Sequence, residues 1–266
     1  MYITIRTRLV ILDTKVRLCF QCAFKKSGAF MHNELIIKRS GVTKGSLDAD
    51  SIVAATASDT CILTVHYFQQ GKGKKHRILR RKAKKYTFQL LSTDVVQEWV
   101  NAISILVRWQ ARAPLDLTIP RKIKVVVNPH SGKRKGMQIY ENKVLPWLKL
   151  AGIEPHMELT TYAGHAIDMG KNYSTESEFE ALVFVGGDGT ISEYMNGLLA
   201  RPTEEWREIA ATTPIALISA GIYDMNLYKY DVDSYMIGTD NAFNTGVGVP
   251  SLAAGLFTII KVIQKF

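Results

Sequence analysis

Hydrophobic and polar residues alternate with a different period before and after residue 111. Up to that point, short runs of β-branched and aromatic residues are separated by clusters of Gly, Ser, Lys and Asp, which predicts strands joined by turns. Apolar residues from Val96 to Val107 then recur at helical spacing around Trp99, with Asp94 as the predicted cap of the helix. The predicted strands are Val16–Phe24, Asn33–Lys38, Cys61–Phe68, His76–Leu79 and Lys85–Leu91.

Strands and helices alternate after residue 122, which predicts an α/β domain with a mostly parallel sheet. Pro114 and Pro120 indicate a linker, and the apolar stretch Val247–Ile260 predicts a buried amphipathic helix because it is too short to span a bilayer. We therefore expect a β-rich domain over residues 1–110, a linker over residues 111–122 and an α/β domain over residues 123–266. The predicted strands are Ile123–Asn128, His156–Tyr162, Ala181–Val185 and Pro214–Ser219, and the predicted helices are Met137–Leu150, Ala166–Asn172 and Ile191–Ala200.

The positive charge is concentrated in one segment. The chain has a net charge of +10, and residues 72–85 contain nine Lys or Arg residues and no acidic residue. Such a segment attracts anionic surfaces, including phospholipid headgroups, or is simply a solvated loop and strand edge. Nucleic acid is the less favoured partner, because no aromatic residues are interleaved for base stacking.

The cysteines do not indicate a metal site. Cys19 and Cys22 form a CxxC pair, but Cys61 is the only other cysteine, whereas a zinc ribbon needs a second pair. The alternation around Cys22 favours a half-buried strand whose thiols are reduced. The amino-terminal residues do not resemble a secretory signal, which favours a cytoplasmic protein.

Two segments at the ends of predicted strands carry candidate chemistry. Asn128–Lys133 offers a hydroxyl and a glycine beside basic residues, and Gly186–Thr190 reads Gly-Gly-Asp-Gly-Thr before a helix. Glycines let a backbone approach a ligand closely, and helix N-termini favour anions. Both segments therefore favour phosphate binding, and a tight turn is the alternative for the second. Neither a GxxxxGK[ST] loop nor the HRD and DFG motifs of protein kinases occur.

These two motifs resemble the catalytic domain of diacylglycerol kinases. The matching pattern is Asn-Pro-x-Ser-Gly at residues 128–132 and Gly-Gly-Asp-Gly-Thr-x-x-Glu-x-x-Asn-Gly at residues 186–197. The resemblance implies ATP with Mg²⁺ and makes Asp188 the general base toward a lipid hydroxyl. The nucleotide-contacting positions it implies are Asn128, Pro129, His130, Ser131, Gly132, Thr160, Thr161, Tyr162, Ala163, Gly164, Gly186, Gly187, Gly189, Thr190, Glu193, Gly238, Thr239 and Asp240.

The segment Thr160–Ala166 narrows the resemblance. It is similar to the T-x-x-x-x-H-A segment of sphingoid base kinases, with His165 where diacylglycerol kinases more often have Asp. The resemblance therefore implies phosphorylation of the primary hydroxyl of a sphingoid long-chain base. Ceramide or diacylglycerol is the alternative acceptor, and a non-catalytic membrane-binding product is the alternative function.

The first 110 residues resemble a pleckstrin homology domain in layout. Several short strands precede a closing helix that contains Trp99. The resemblance implies binding to a membrane surface, although the basic segment Lys72–Lys85 comes later than the basic loop of that family. We therefore expect a cytoplasmic protein that associates peripherally with membranes.

The chain departs from the kinase pattern in two places. The family's third glycine loop follows the fourth strand, and it is reproduced here only if Ile222–Gly238 is removed, which joins Ser219–Gly221 to Thr239–Phe243. We interpret Ile222–Gly238 as an insertion. The sequence also ends at Phe266, where the family continues into a β-rich lipid-binding domain, so we expect most of the acceptor pocket to be missing.

Overall fold

Two antiparallel sheets make up the amino-terminal region. The computed structural model describes residues 17–24, 30–39, 42–70, 81–130, 134–174, 178–219 and 252–261. Sheet order is β1-β2-β3 in the first sheet and β4-β5-β6 in the second. The strands are β1 (Arg17–Phe24), β2 (Phe30–Arg39), β3 (Val42–Asp48), β4 (Ile52–Ala57), β5 (Ile62–Gln70) and β6 (Arg81–Gln89).

The β-rich character predicted for this region is confirmed, but two of its six described strands were not predicted. Strands β3 and β4 were not predicted, because glycine, serine and alanine weaken the strand pattern in these segments. Cys19 and Cys22 lie in strand β1, as predicted. The strand predicted at His76–Leu79 lies outside the described residues, as do residues 71–80 of the basic segment.

The helix α1 (Thr93–Gln110) packs on β4 and β5. Its cap is Ser92, whose hydroxyl accepts a hydrogen bond from the Val95 amide, so the prediction that Asp94 caps the helix is wrong. Asp94 lies in the first turn instead, where a carboxylate still stabilises the helix through its dipole. Trp99 is fully buried on the inner face of the helix.

The segment between the two regions is ordered by Arg108. Its Nη1 donates hydrogen bonds to the carbonyl oxygens of Pro114, Asp116 and Ile119 at 3.1, 2.8 and 2.8 Å. Three backbone acceptors on one guanidinium fix the path of the connection. The parallel sheet begins at Arg121, so the last two residues of the predicted linker belong to a strand.

A four-stranded parallel sheet forms the second region, as the alternation predicted. Its strands are β7 (Arg121–Val127), β8 (Ile153–Leu159), β9 (Leu182–Gly186) and β10 (Ile215–Ser219), in the spatial order β10-β9-β7-β8. Both faces are buried in alternation, as the sequence of β7 illustrates. Val125 and Val127 enter one hydrophobic core, whereas Val126 enters the core on the opposite face.

Helices cover both faces of this sheet. The predicted helix after β7 is a composite of α2 (Gly136–Ile139), a π-helical turn (Tyr140–Val144) and α3 (Leu145–Leu150). It ends before Gly152, whose φ of +67° fits the predicted terminating glycine. The remaining helices are α4 (His165–Lys171), α5 (Asp188–Leu199), α6 (Thr203–Thr212), which the sequence reading missed, and α7 (Leu252–Lys261), which lies in the predicted amphipathic segment.

The two regions share one hydrophobic core. The rings of His66 and Phe68 on β5 lie 6.3 and 4.6 Å from the Trp147 ring of α3, and Phe68 also lies 6.3 Å from Phe257 of α7. The β4-β5-β6 sheet is therefore packed against α1 and against helices of the α/β region. None of the helices described by the structure is long and apolar enough to cross a membrane.

Candidate active site

The order of the parallel strands places a crevice between β7 and β9. The chain goes from β7 to β8 on one side, then returns to β9 and β10 on the other side. The helices that follow β7 and β9 consequently leave the sheet in opposite directions, and ligands bind at such switch points beyond the carboxyl ends of the strands. The segments after Val127 and Gly186 meet at this position.

Asn128 joins the two segments. Its side-chain Nδ2 donates a hydrogen bond of 2.9 Å to the hydroxyl of Thr190, and its Oδ1 accepts one of 2.9 Å from the backbone amide of His130. The backbone amide of Asn128 also donates to Val185 O at 3.0 Å. One residue thus fixes the turn after β7 and the first turn of α5. Pro129 is half-buried and His130 is exposed.

Gly187 and Asp188 form the start of α5. Gly187 is the N-cap residue, and its backbone is extended (φ −94°, ψ 173°). As a glycine it has no side chain that could cap the helix. Asp188 is the first helical residue and is partly exposed, with Oδ1 accepting from the Gly189 amide at 2.9 Å. A Cβ placed on Gly187 or Gly189 would meet no atom within 4 Å. The backbone is therefore open to an approaching anion at the positive end of a helix.

Two other predicted positions differ in exposure. Gly186 is the last residue of β9 and is buried. Glu193 lies one turn beyond Thr190 on α5 and is partly exposed, so it is further from the strand ends than Asp188.

Gly136, which is not among the predicted site residues, packs against the turn that contains Asn128. A Cβ at this position would lie 2.4 Å from the carbonyl oxygen of Asn128. Only glycine allows the first turn of α2 to pack this closely, so Gly136 positions the turn that contains Asn128. Its location directly after the basic residues Arg134 and Lys135 was the available signal.

The segment after β8 forms a local network at the same edge of the sheet. Thr160 is buried, and its amide donates to Val127 O at 3.0 Å, which aligns the ends of β8 and β7. The Thr161 amide donates to Nδ1 of His165 at 3.1 Å. Gly164 has a φ of +84° and is the N-cap of α4. These contacts hold the exposed Thr161–Ala163 turn in place.

Tyr162 lies on His165, with ring centroids 4.5 Å apart and an angle of 17° between the rings. The Tyr162 hydroxyl donates to Asp168 at 2.8 Å, and this hydrogen bond raises the pKa of Tyr162. The His165 Nε2 lies 3.9 Å from Glu158 Oε1. Asp168 and Glu158 orient the predicted residues, and the sequence signal for Asp168 was its position one helical turn after His165.

Comparison with known families assigns the α/β region. Residues 122–234 match the diacylglycerol kinase catalytic domain. These residues belong to that family. The match covers the parallel sheet and both strand-end segments described above.

Curated relatives of this diacylglycerol kinase catalytic domain act in sphingolipid chemistry according to their names. The chain is 36% identical over 100 residues to sphingoid long-chain bases kinase 1 of Arabidopsis thaliana, covering 38% of this chain and 13% of that protein. It is 35% identical over 143 residues to sphingosine kinase B of Dictyostelium discoideum, covering 53% of this chain and 18% of that protein. It is 30% identical over 132 residues to ceramide kinase of Mus musculus, covering 46% and 24%. The matched part is thus less than a quarter of each relative.

One residue of the kinase motif has a packing role. A Cβ on Gly197 would lie 2.0 Å from the backbone oxygen of Ile167, and one on Gly170 would lie 2.2 Å from Tyr194 O. Helices α4 and α5 therefore cross in direct backbone contact. This crossing fixes the distance between the His165 segment and the Asp188 segment.

A cleft of about 500 Å³ lies beside the two strand-end segments rather than between them. Its lining includes Lys124, Glu158, Tyr162, His165 and Asp168. It shares Tyr162 and His165 with the predicted nucleotide contacts, but Asn128 and residues 186–190 do not line it. The open edge at Asn128 and Asp188 is therefore the better candidate for phosphate chemistry.

Five predicted contacts lie outside the described residues: Ser131, Gly132, Gly238, Thr239 and Asp240. The interpretation of Ile222–Gly238 as an insertion also concerns residues that are not described. Within the described part of the chain, no three His, Cys, Asp or Glu side chains are close enough to hold a metal ion by themselves.

Proposed function

We propose that this chain is the nucleotide-binding part of a lipid kinase that transfers the γ-phosphoryl group of ATP to the primary hydroxyl of a sphingoid long-chain base. The observation that carries the proposal is the junction of the two motifs, through Asn128 and Thr190, at the switch point of a parallel sheet. Membership of residues 122–234 in the diacylglycerol kinase catalytic family supports it.

The described residues fit a polyphosphate. The open space beside Gly187 and Gly189 gives an anion access to the first turn of α5. The N-cap residue Gly187 has no side chain to occupy this position. Arg134 and Lys135 are exposed near the end of β7 and supply positive charge. Mg²⁺ commonly binds through one or two carboxylates together with substrate phosphates. Mg²⁺ would neutralise charge on the phosphate oxygens.

Asp188 is the residue we propose as general base. Its Oδ1 is oriented by the Gly189 amide, which leaves the second oxygen to accept the proton of a lipid hydroxyl. The hydroxyl oxygen forms a bond to the γ-phosphorus while the bond from that phosphorus to the bridging oxygen breaks. ADP leaves, and the proton is held on the Asp188 carboxyl. The other predicted residues would bind and orient the nucleotide.

The acceptor is the finer part of the proposal. His165 lies where diacylglycerol kinases more often have Asp, in a segment that resembles that of sphingoid base kinases, and relatives named for sphingoid bases and sphingosine support that acceptor. The similarity to a ceramide kinase supports ceramide as the alternative.

We also propose that the first 110 residues form a pleckstrin-homology-like unit that brings the kinase to anionic membranes. Helix α1 closes the β4-β5-β6 sheet with Trp99 in its core, which supports the layout. Lys82, Lys84 and Lys85 are exposed on the outermost strand of that sheet. A peripherally membrane-associated cytoplasmic kinase is the corresponding proposal for location.

Two measurements test the function. MgATP titrated into the chain in a calorimeter should give saturable binding with one site, and absence of binding would refute the nucleotide assignment. The natural protein that contains this chain should then transfer ³²P from ATP to sphingosine in preference to ceramide and diacylglycerol. Preference for ceramide would support the assignment as a lipid kinase but identify ceramide, rather than a sphingoid base, as the acceptor.

A further inference from the structure

The ring of Tyr162 has one open face at the carboxyl edge of the parallel sheet. Its other face lies on His165, with the ring centroids 4.5 Å apart. Because the side chain is still 55% exposed although that face is covered, the remaining face is accessible, and it lines the cleft beside the candidate site. An accessible aromatic face is a surface on which a planar base can stack.

Hydrogen bonds connect the turn that contains Tyr162 to the two strand-end segments. The amide of Thr160 donates to Val127 O at 3.0 Å, and the next residue after Val127 is Asn128, whose side chain donates to Thr190. Strands β8, β7 and β9 are neighbours in that order, so two strand spacings, together about 10 Å, separate the turn after β8 from the turn after β9. An extended nucleoside triphosphate covers this span, with its phosphates at the start of α5 and its base at Tyr162.

Asp168 fixes the orientation of this ring. The Tyr162 hydroxyl donates a hydrogen bond of 2.8 Å to Oδ2 of Asp168, in the first turn of α4. Helix α4 is itself held closely against α5, because a Cβ on Gly170 would lie 2.2 Å from Tyr194 O. The side chain of Tyr162 is therefore anchored at its hydroxyl as well as at its backbone. An aromatic ring that is already immobilised loses less conformational entropy when a ligand stacks on it.

The cleft next to the ring has room for a nucleoside. Its volume of about 500 Å³ falls within the range of about 300–1,000 Å³ that is usual for small-molecule sites. Its walls combine the aromatic side chains of Tyr162 and Tyr173 with the side-chain amide of Asn172. Aromatic walls suit a base, and an amide can form hydrogen bonds with the edge of a base or with ribose hydroxyls.

We propose that Asp168 is a positioning residue for nucleotide binding, which holds the Tyr162 ring so that the base of ATP stacks on it. This inference rests on the proposed function. To the predicted nucleotide contact at Tyr162 it adds the part of the nucleotide that binds there and the residue that orients the ring. The base and ribose extend from the start of α5 toward the cleft, so Tyr162 contributes to affinity for the nucleoside and not for the phosphates.

Two probes separate the base from the phosphates: MgATP, and magnesium tripolyphosphate, which lacks the base and the ribose. Tyr162→Ala should raise the Kd of the 266-residue chain for MgATP by at least about fivefold, the lower end for losing a base–aromatic stack. Its Kd for magnesium tripolyphosphate should not change. Tyr86→Ala removes a partly exposed ring from β6 and is the matched control, which should leave both Kd values unchanged. Circular dichroism at the same temperature checks that each variant is folded.

A pair of substitutions at Asp168 tests the positioning role. Asp168→Asn and Asp168→Ala remove the same charge, but only asparagine keeps an oxygen that accepts from the Tyr162 hydroxyl. Asp168→Ala should therefore have a Kd for MgATP about two- to tenfold higher than Asp168→Asn, the fold-change for one hydrogen bond. In a Tyr162→Phe background, which keeps the ring without its hydroxyl, the two Asp168 variants should bind MgATP equally.

Tyr162→Phe alone covers the case in which Asp168→Ala does not fold, because it removes the same hydrogen bond and should also raise the Kd for MgATP. The positioning role is overturned if the two Asp168 variants bind MgATP equally while Tyr162 is intact, if their difference persists in the Tyr162→Phe background, or if Tyr162→Phe alone binds as tightly as the unaltered chain. Base stacking is overturned if Tyr162→Ala binds MgATP normally or loses as much affinity for tripolyphosphate as for MgATP. Failure of the unaltered chain to bind MgATP refutes the proposed function itself, which separates the two results.

Discussion

The side-chain amide of Asn128 donates a 2.9 Å hydrogen bond to the hydroxyl of Thr190. The two residues are far apart in sequence and belong to the turn after β7 and the first turn of α5. Because the Asn128 Oδ1 simultaneously accepts from the His130 amide, a single side chain sets the spacing of the two segments on which the proposed nucleotide site depends. A change at either end of this bond should be detected as a change in nucleotide affinity.

Replacing Thr190 by Val tests that relationship. Thr190 is buried, and Val preserves its shape while removing the hydroxyl that receives the Asn128 amide. Loss of one hydrogen bond is worth about 0.5–1.5 kcal/mol, so the Kd for MgATP should rise by about three- to tenfold. Thr190→Ser retains the hydroxyl and serves as the control. Equal affinities for the Val and Ser variants would contradict a role for this bond.

Two glycines of the same motif should respond oppositely to substitution by alanine. A Cβ on Gly197 would lie 2.0 Å from Ile167 O, so Gly197→Ala must separate α4 from α5. We expect a loss of at least about 1 kcal/mol of unfolding free energy, although alanine is the better helix former by about 1 kcal/mol. A Cβ on Gly189 would meet nothing within 4 Å, so Gly189→Ala should preserve stability and weaken MgATP binding instead.

Urea denaturation and MgATP titration of both variants separate these outcomes. The assignment of Gly197 to helix packing fails if its alanine variant is as stable as the unaltered chain. The assignment of Gly189 to ligand approach fails if its variant binds MgATP normally.

The exposed lysines of β6 should govern binding to anionic membranes. Of the basic segment, Lys82, Lys84 and Lys85 are exposed, whereas Arg81 is partly buried against Phe257. Each basic residue near an anionic bilayer contributes about 1 kcal/mol, so reversing the three lysines to Glu should lower binding to phosphatidylserine vesicles by at least about tenfold. Raising the salt concentration should reduce the difference, because salt screens exposed charges.

A triple variant elsewhere on the surface provides the control for this experiment. Lys143, Lys149 and Arg207 are exposed on other elements, and their reversal to Glu changes the net charge equally. If this control loses as much vesicle binding as the β6 variant, the attraction depends on total charge and the β6 surface has no special role.

Stability should depend on pH through Lys261. Burial lowers its pKa to about 7; Asp50 and Asp48 act to raise it, whereas Arg81 and Arg121 lower it further. Below this pH the side chain is protonated in both the folded and unfolded states, and the charge is buried at full cost. Between about pH 7 and pH 10 the unfolded chain keeps the proton that the folded protein releases. The contribution of Lys261 to the free energy of unfolding therefore rises with pH, by at most about 1.4 kcal/mol per pH unit.

Lys261→Met removes this dependence. Urea midpoints of the variant and the unaltered chain, measured at pH 6.5, 8 and 9.5, should show the largest advantage for the variant at the lowest pH. Lys171→Met, at an exposed lysine, should show no such trend. A constant difference between the Lys261 variant and the unaltered chain at all three pH values would be incompatible with a lowered pKa.

The α/β region was predictable because its strands are buried on both faces. Continuous apolar runs such as Val125–Val127 and Ala181–Val185 have few alternatives once glycine-rich turns and helical periodicity surround them. The motif residues could likewise be placed at strand ends. Their mutual contacts could not, because the pairing of β7 with β9 depends on the order of strands in space.

Tertiary contacts explain what the sequence did not reveal. The inward position of Arg81 within a basic run results from the Phe257 ring, which comes from the far end of the chain. A charge pattern alone cannot distinguish such a residue from its solvated neighbours Lys82 and Lys84. The role of Gly136 similarly depends on how close the backbone of Asn128 lies.

Asp188 is the residue for which catalysis and structure can be separated most directly. It is the first residue of α5, where a carboxylate is stabilised by the helix dipole, and its Oδ1 accepts from the Gly189 amide. Asn has nearly the same shape and keeps an oxygen for that amide, so Asp188→Asn should fold normally and bind MgATP. It lacks the carboxylate that we propose as the acceptor of the proton from the lipid hydroxyl. Phosphorylation of sphingosine by the natural protein should therefore fall by at least about a hundredfold.

The control for this variant is Glu154→Gln, which removes one exposed carboxylate near the start of β8, at the opposite edge of the sheet. Its rate of ³²P transfer from ATP to sphingosine should match that of the unaltered protein. If Asp188→Asn also retains near-normal turnover, the carboxylate only stabilises the helix start, and a different group must accept the proton. If turnover falls and MgATP affinity falls with it, Asp188 acts in nucleotide binding, and its assignment as general base is wrong.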